Sequence, residues 1–116
     1  MPFKTILRKL TKSIDGYGAI LLDEEGEVVD MFSSEGGLEL DVIGAHKGII
    51  LKMLERAVKD TESVHSIGIS TEKMKLTISP IKEGYYVVVL SNEYTPLQRV
   101  IRETSRYLKE LEEEMG

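Results

Sequence analysis

The 116-residue sequence contains no cysteine. This absence excludes disulfide bonds, thiolate zinc sites and cysteine nucleophiles, and it is typical of a reducing cytoplasm. The longest apolar runs fall well short of the ~20 residues that span a bilayer. The first apolar stretch, residues 3–10, is interrupted by Lys4, Arg8 and Lys9, unlike the core of a signal peptide. We therefore expect a cytoplasmic protein that does not insert into a membrane.

Motifs for catalysis and for nucleotide or metal binding are also missing. The sequence has no Gly-x-x-x-x-Gly-Lys-Ser/Thr loop and no Gly-x-Ser-x-Gly elbow. Its two histidines, His46 and His65, are not at ligand spacing, which favours a structural role for His46 over metal binding and leaves a pH-sensitive interface role open. Carboxylates are plentiful, but none pair in an evident pocket. We expect no enzymatic activity, no cofactor and no metal.

The charge is unevenly distributed along a net acidic chain. The formal net charge is −5, yet basic residues crowd the start and glutamates crowd the end. Duplex binding normally needs a basic face within a favourable overall field, so no nucleic-acid partner is expected. With 41% hydrophobic and 30% charged residues and no linker, the composition predicts one globular domain over residues 1–116.

The first apolar stripe predicts an N-terminal helix. Its members follow helical spacing, and Asp15-Gly16 supplies a stop signal; they are Phe3, Ile6, Leu7, Leu10 and Ile14. A basic amphipathic helix of this kind could lie on an anionic membrane. A helix that packs on the core and keeps a solvated side is the favoured interpretation.

A β-hairpin is predicted next, with strands at residues 17–22 and 28–32. The turn DEEG, residues 23–26, places Gly26 where a positive φ is needed. Because the turn lacks the Asp-x-Asp-x-Asp spacing of a cation loop, we interpret it as a solvated turn.

Three further strands are predicted at residues 64–71, 74–79 and 85–90. The runs at 17–22 and 85–90 are apolar on both faces, which is typical of strands in the middle of a covered sheet. Placing these two side by side predicts an α+β fold, α-β-β-α-β-β-β-α, with a five-stranded antiparallel sheet of order 2-1-5-4-3. The N-terminal and C-terminal helices are expected on one face and the long central helix on the other. The third strand is then an edge, which is a liability unless another chain pairs with it.

The C-terminal helix is predicted to begin at a capping box. Thr95 is the expected N-cap, Pro96 the first helical residue, and Gln98 the return half of the box.

The central helix, predicted over residues 38–60, is too apolar for the surface of a small monomer. Its apolar arc covers roughly 200° against the ~100° stripe of an ordinary surface helix. One half can pack on the sheet, while the other half requires a second subunit or, alternatively, a second layer of the same domain. With the third-strand edge, this predicts a dimer interface at Val42, Ala45, His46, Ile49, Met53, Ser66, Gly68 and Ser70.

Over nearly its whole length the sequence resembles the Roadblock/LC7 family, in particular its prokaryotic, MglB-like members. The resemblance is carried by GYGAILLDEEGEVVDMF, residues 16–32, followed by the long helix, the three-strand meander and the closing helix. It implies a homodimer that joins through the second helix and the third strand, and that binds and regulates a small Ras-like GTPase. The alternatives are a dimeric scaffold that alters no GTPase and a PAS-like or profilin-like sensor of a small ligand.

The polar side of the central helix is the expected partner-binding surface if the resemblance holds. Arg56 could act as an arginine finger, although a salt bridge at the rim is favoured. By default this side is solvated; its residues are Asp41, Lys52, Glu55, Arg56 and Lys59.

Overall fold

The computed structural model describes residues 2–34, 67–70 and 74–116. The predicted central helix lies outside these residues, as does the whole expected partner-binding surface: Asp41, Lys52, Glu55, Arg56 and Lys59. Of the expected dimer interface, Gly68 and Ser70 are described, whereas Val42, Ala45, His46, Ile49, Met53 and Ser66 are not.

The described chain forms two α-helices and an antiparallel sheet, which confirms the α+β class. In chain order the elements are α1 (Pro2–Ser13), β1 (Gly18–Leu22), β2 (Val28–Ser33), β3 (Ile67–Ser70), β4 (Met74–Pro80), a 3₁₀ turn (Lys82–Gly84), β5 (Tyr86–Asn92) and α2 (Leu97–Met115). The strands lie in the order β2-β1-β5-β4-β3. Neither described helix is long and apolar enough to cross a membrane.

The central pair of strands is β1 and β5, as their two-sided apolar character predicts. Their register sets Ile20 opposite Val88 and Leu21 opposite Val87, so neighbouring side chains alternate between the two faces. Both strands are buried on both faces. β5 continues past the predicted end at residue 90 to Asn92, because Ser91 and Asn92 still pair with β4.

Both described helices pack on the same face of this sheet. Leu7 and Leu10 of α1 and Val100 and Leu111 of α2 are fully buried there, in one cluster with alternate residues of β1 and β5. Burying each such side chain contributes about 1.5–3 kcal/mol. The opposite face holds a second buried cluster, formed by Ile20, Leu22, Ile78, Val88 and Leu90. The prediction that α1 directs its apolar stripe into the core is confirmed.

The helix stop and the hairpin turn are also confirmed. After α1, Asp15 takes a left-handed φ of 50°, and the Gly16 N–H donates to the Thr11 carbonyl at 2.8 Å. In the hairpin turn, Gly26 has a φ of 83°. The Asp23 carboxylate accepts backbone hydrogen bonds from Glu25 and Glu27 at 2.9 and 2.8 Å.

The predicted capping box at the start of α2 is wrong. The helix begins at Leu97 with Pro96 as its N-cap residue, and no side chain caps it in the described structure. The Thr95 hydroxyl lies instead 3.1 Å from Asn92 Oδ1 and 3.3 Å from the Ile14 carbonyl oxygen. Thr95 therefore joins the start of α2 to the end of α1, a tertiary role that competes with capping.

Candidate interaction surface

β3 lies at the end of the sheet and carries the two described residues of the expected interface. It is four residues long and pairs with β4, with Gly68 opposite Thr77 and Ser70 opposite Lys75. Among the described strands, none pairs with the other side of β3. Alternate backbone N–H and C=O groups of an edge strand point away from its sheet, where they can bond a further strand.

Two of the four residues of this edge strand have little or no side chain. Gly68 and Ser70 are both exposed. A Cβ built on Gly68 would lie 2.6 Å from Cδ2 of Leu97, so the first turn of α2 covers the strand where it has no side chain. A glycine inside a strand often marks such a close approach. The surface beside the edge is thus shaped by β3 and α2 together.

Lys75 attaches α2 to the sheet beside this edge. Its Nζ donates to the Thr95 carbonyl at 2.9 Å, just before α2 begins. The Ser91 hydroxyl donates to the Lys75 carbonyl at 3.5 Å from the neighbouring strand. Lys75 is half-buried, so its contact with a carbonyl is shielded from water in part.

Neither Lys75 nor Leu97 was singled out from the sequence as a support of the edge. An isolated glycine within an alternating strand, such as Gly68, indicates that another group approaches the backbone closely, and here that group is the Leu97 side chain. Lys75 is an ordinary polar member of an alternating strand, and this pattern gives little indication of its contact with α2. Its acceptor, the Thr95 carbonyl, lies 20 residues away and cannot be deduced from local pattern.

The described surface is suited to hydrogen bonding between strand backbones. In residues 2–34, 67–70 and 74–116, no three histidine, aspartate or glutamate side chains come together to hold a metal ion. What the edge offers is the unpaired side of a short strand, flanked by small side chains. Such a strand can extend its sheet by accepting a strand from a second chain.

Several solved structures share this architecture. No protein-family model matches the sequence, and no curated protein matches it significantly. Among solved structures, the Roadblock/LC7 domain from Streptomyces avermitilis has a TM-score of 0.76 and 15% identity, covering 97% of this chain and 96% of that one. MglB of Myxococcus xanthus has a TM-score of 0.74 and 17% identity, covering 93% and 89%. LokiProfilin1, solved in complex with rabbit actin, has a TM-score of 0.60 and 16% identity, covering 92% and 91%.

At these identities the similarity concerns the fold. The Roadblock/LC7 domain and MglB superpose on the chain with higher TM-scores than LokiProfilin1 does. The chain therefore has an MglB-like Roadblock/LC7 fold.

Proposed function

We propose that the chain is a single-domain, homodimeric, non-enzymatic module that binds and regulates a small Ras-like GTPase in the cytoplasm. The observation that supports this most is the MglB-like fold with a described sheet that ends in β3. The sequence resemblance to MglB-like proteins, whose members act on such GTPases, supplies the class of partner.

The proposed dimer forms by pairing of two β3 strands. Pairing would bond the outward backbone groups of both edges and continue the sheet from one subunit into the next. Gly68 and Ser70 present little side-chain bulk against this approach. The wide apolar arc predicted for residues 38–60 supplies the area that a strand pair alone lacks, because obligate dimers bury large, apolar interfaces.

The partner-binding part of the proposal concerns Asp41, Lys52, Glu55, Arg56 and Lys59. Two copies of this polar stripe on a dimer would form a charged platform for one GTPase. Arg56 serves there as a rim cation, since nothing in the sequence fixes the geometry that an arginine finger requires.

The test is to measure nucleotide hydrolysis by the cognate GTPase with and without this protein. The GTPase is identified by capture from the native lysate and then purified. We expect the rate of hydrolysis to change on addition of the dimer, and Arg56→Glu to raise several-fold the dimer concentration that gives half of this change, because reversing a rim charge slows association.

The matched control is Arg8→Glu, the same charge reversal at an exposed position of α1. This variant should retain the full effect on hydrolysis. Binding of the GTPase with an unchanged rate would indicate a scaffold and contradict the regulatory part of the proposal. A small ligand that copurifies in stoichiometric amount, with no GTPase bound, would indicate a sensor instead.

A further inference from the structure

The two described helices form a layer whose outer side carries eight exposed lysine and arginine residues. α1 and α2 lie on the same face of the sheet, and the Arg99 Nη2 donates to the Ser13 carbonyl at 2.8 Å, which joins the first turn of α2 to the end of α1. Each helix directs its apolar stripe inward. The side chains on the opposite side of both helices therefore share one surface, which we name the basic helical face.

On α1 this surface contains no acidic residue. Lys4, Arg8 and Lys12 follow each other at intervals of four residues and form one stripe, with Lys9 beside it. All four are exposed, while Leu7 and Leu10 are fully buried on the other side of the helix. Their charges are thus held outward by the core packing of α1.

α2 carries basic and acidic residues together, since Glu103, Glu110 and the three glutamates at residues 112–114 lie on the same helix. Its basic residues are exposed and recur at intervals of three and four, at Arg99, Arg102, Arg106 and Lys109. Arg106 forms an ion pair with Glu103 at 3.5 Å, yet its side chain remains 71% exposed. An exposed ion pair of this kind contributes little to stability and leaves the guanidinium available to other anions.

This positive surface stands out against the acidic molecule. The two helices contribute eight of the 15 lysine and arginine residues of a chain whose net charge is −5. Five glutamates also lie on α2, so the two helices together have a formal charge of +3, from eight basic and five acidic residues, whereas the rest of the chain has −8. Charges separated by more than about 8 Å are largely screened at physiological ionic strength, so a large anionic surface senses mainly the face it touches.

The shape and composition of the face favour a lipid surface over a macromolecule. A protein interface needs an apolar, charge-depleted centre. Among the residues that the structure describes, the large exposed hydrophobic ones are Val28, Val29 and Tyr94, and these lie outside both helices. A bilayer is planar and its anionic lipids are mobile, so it can match two adjacent helices, of which α2, with 19 residues, is about 28 Å long.

We propose that the basic helical face binds the surface of a bilayer rich in anionic phospholipid. The contact is electrostatic and involves no insertion, because the apolar stripe of α1 is used in the core. Its residues belong to α1 and α2, whereas the described part of the proposed dimer surface is β3. Each lysine or arginine near an anionic bilayer contributes about fivefold in binding.

The experiment is cosedimentation with phosphatidylcholine vesicles that contain phosphatidylserine, compared with phosphatidylcholine alone. The parent protein should bind only the anionic vesicles, and raised salt should release it. Lys9→Gln, Lys12→Gln and Lys109→Gln combined should reduce the partition coefficient by on the order of a hundredfold. Lys9→Arg, Lys12→Arg and Lys109→Arg combined should bind like the parent.

A charge-swapped variant separates the face from the net charge. It combines Lys9→Glu, Lys12→Glu and Lys109→Glu with Glu24→Lys, Glu25→Lys and Glu93→Lys, which are all exposed positions, and it keeps the net charge of −5. We expect it to lose binding while its circular dichroism matches the parent. Binding of the swapped variant at parental strength, equal binding to neutral vesicles, or binding to duplex DNA or an acidic protein with none to anionic vesicles would each overturn the proposal.

Discussion

Gly16 sits where two segments of the backbone approach too closely for any other residue. A Cβ at this position would lie 2.7 Å from the Leu90 carbonyl oxygen, the same oxygen that accepts a hydrogen bond from the Tyr17 N–H at 2.8 Å. The carbonyl belongs to the central strand β5 and cannot move away without breaking the pairing of β1 with β5. Gly68 also faces a close neighbour, but that neighbour is the flexible end of the Leu97 side chain.

We expect Gly16→Ala to destabilise the protein by about 1–3 kcal/mol, the cost typical of overpacking. Gly68→Ala should cost less, since Leu97 can change rotamer. The measurement is the midpoint of urea-induced unfolding for both variants and the parent. Equal loss in the two variants, or a larger loss for Gly68→Ala, would mean that the backbone contact is not the deciding one.

Single residues also explain where local sequence patterns succeed and fail. The prediction of a solvated turn at Asp23 is confirmed, because the groups that it binds are the backbone N–H groups of Glu25 and Glu27 within the same turn. The prediction of Thr95 as an N-cap is wrong, because its hydroxyl contacts the Ile14 carbonyl, 81 residues away in sequence. A motif whose partners lie within a few residues is predictable from sequence, whereas a side chain with a tertiary alternative is not.

At the scale of whole elements, hydrophobic pattern was sufficient to identify the centre of the sheet. The runs that contain Leu21 and Val88 are apolar at every position, and only a strand covered on both faces requires this. Strand ends were less predictable, since Ser91 and Asn92 belong to β5 through pairing with β4 rather than through their own character. For the candidate interaction surface, sequence indicated Gly68 and Ser70, but the support from Lys75 and Leu97 depends on how α2 packs.

The edge strand β3 provides a test of the proposed dimer. Ser70→Glu places a carboxylate opposite Lys75, which is compatible with the folded monomer. In a dimer joined through β3 the same carboxylate would have to leave water, at a cost of several kcal/mol. We expect the variant to be folded by circular dichroism but monomeric in analytical ultracentrifugation.

The control for this experiment is Ser33→Glu, the same change at an exposed position of β2, the strand at the other end of the sheet. It should remain dimeric. If Ser70→Glu is as dimeric as the parent, the subunits do not meet through β3. If both variants become monomeric, the effect is one of added charge rather than of position.

On the scale of the whole molecule, different sides of one small fold have different proposed roles. The layer of α1 and α2 closes one face of the sheet and presents its charges outward, so its two sides are used for stability and for a lipid surface. The end of the sheet at β3 remains for a second subunit. Because Lys9, Lys12 and Lys109 lie on other elements than β3, lipid binding and dimerisation can be lost separately, and the variants at these three lysines should leave the dimer intact.

Dimerisation makes the stability of each subunit depend on protein concentration. When unfolding separates the subunits, raising the concentration a hundredfold adds roughly 2–3 kcal/mol to the free energy of unfolding. We therefore expect the thermal midpoint of the parent to rise with concentration. Ile49→Asp, in the apolar arc predicted for residues 38–60, should give a monomer whose midpoint is constant, or an unfolded chain. A parent that sediments only as a 13.0 kDa species, with a midpoint independent of concentration, would refute the dimer and the function that requires it.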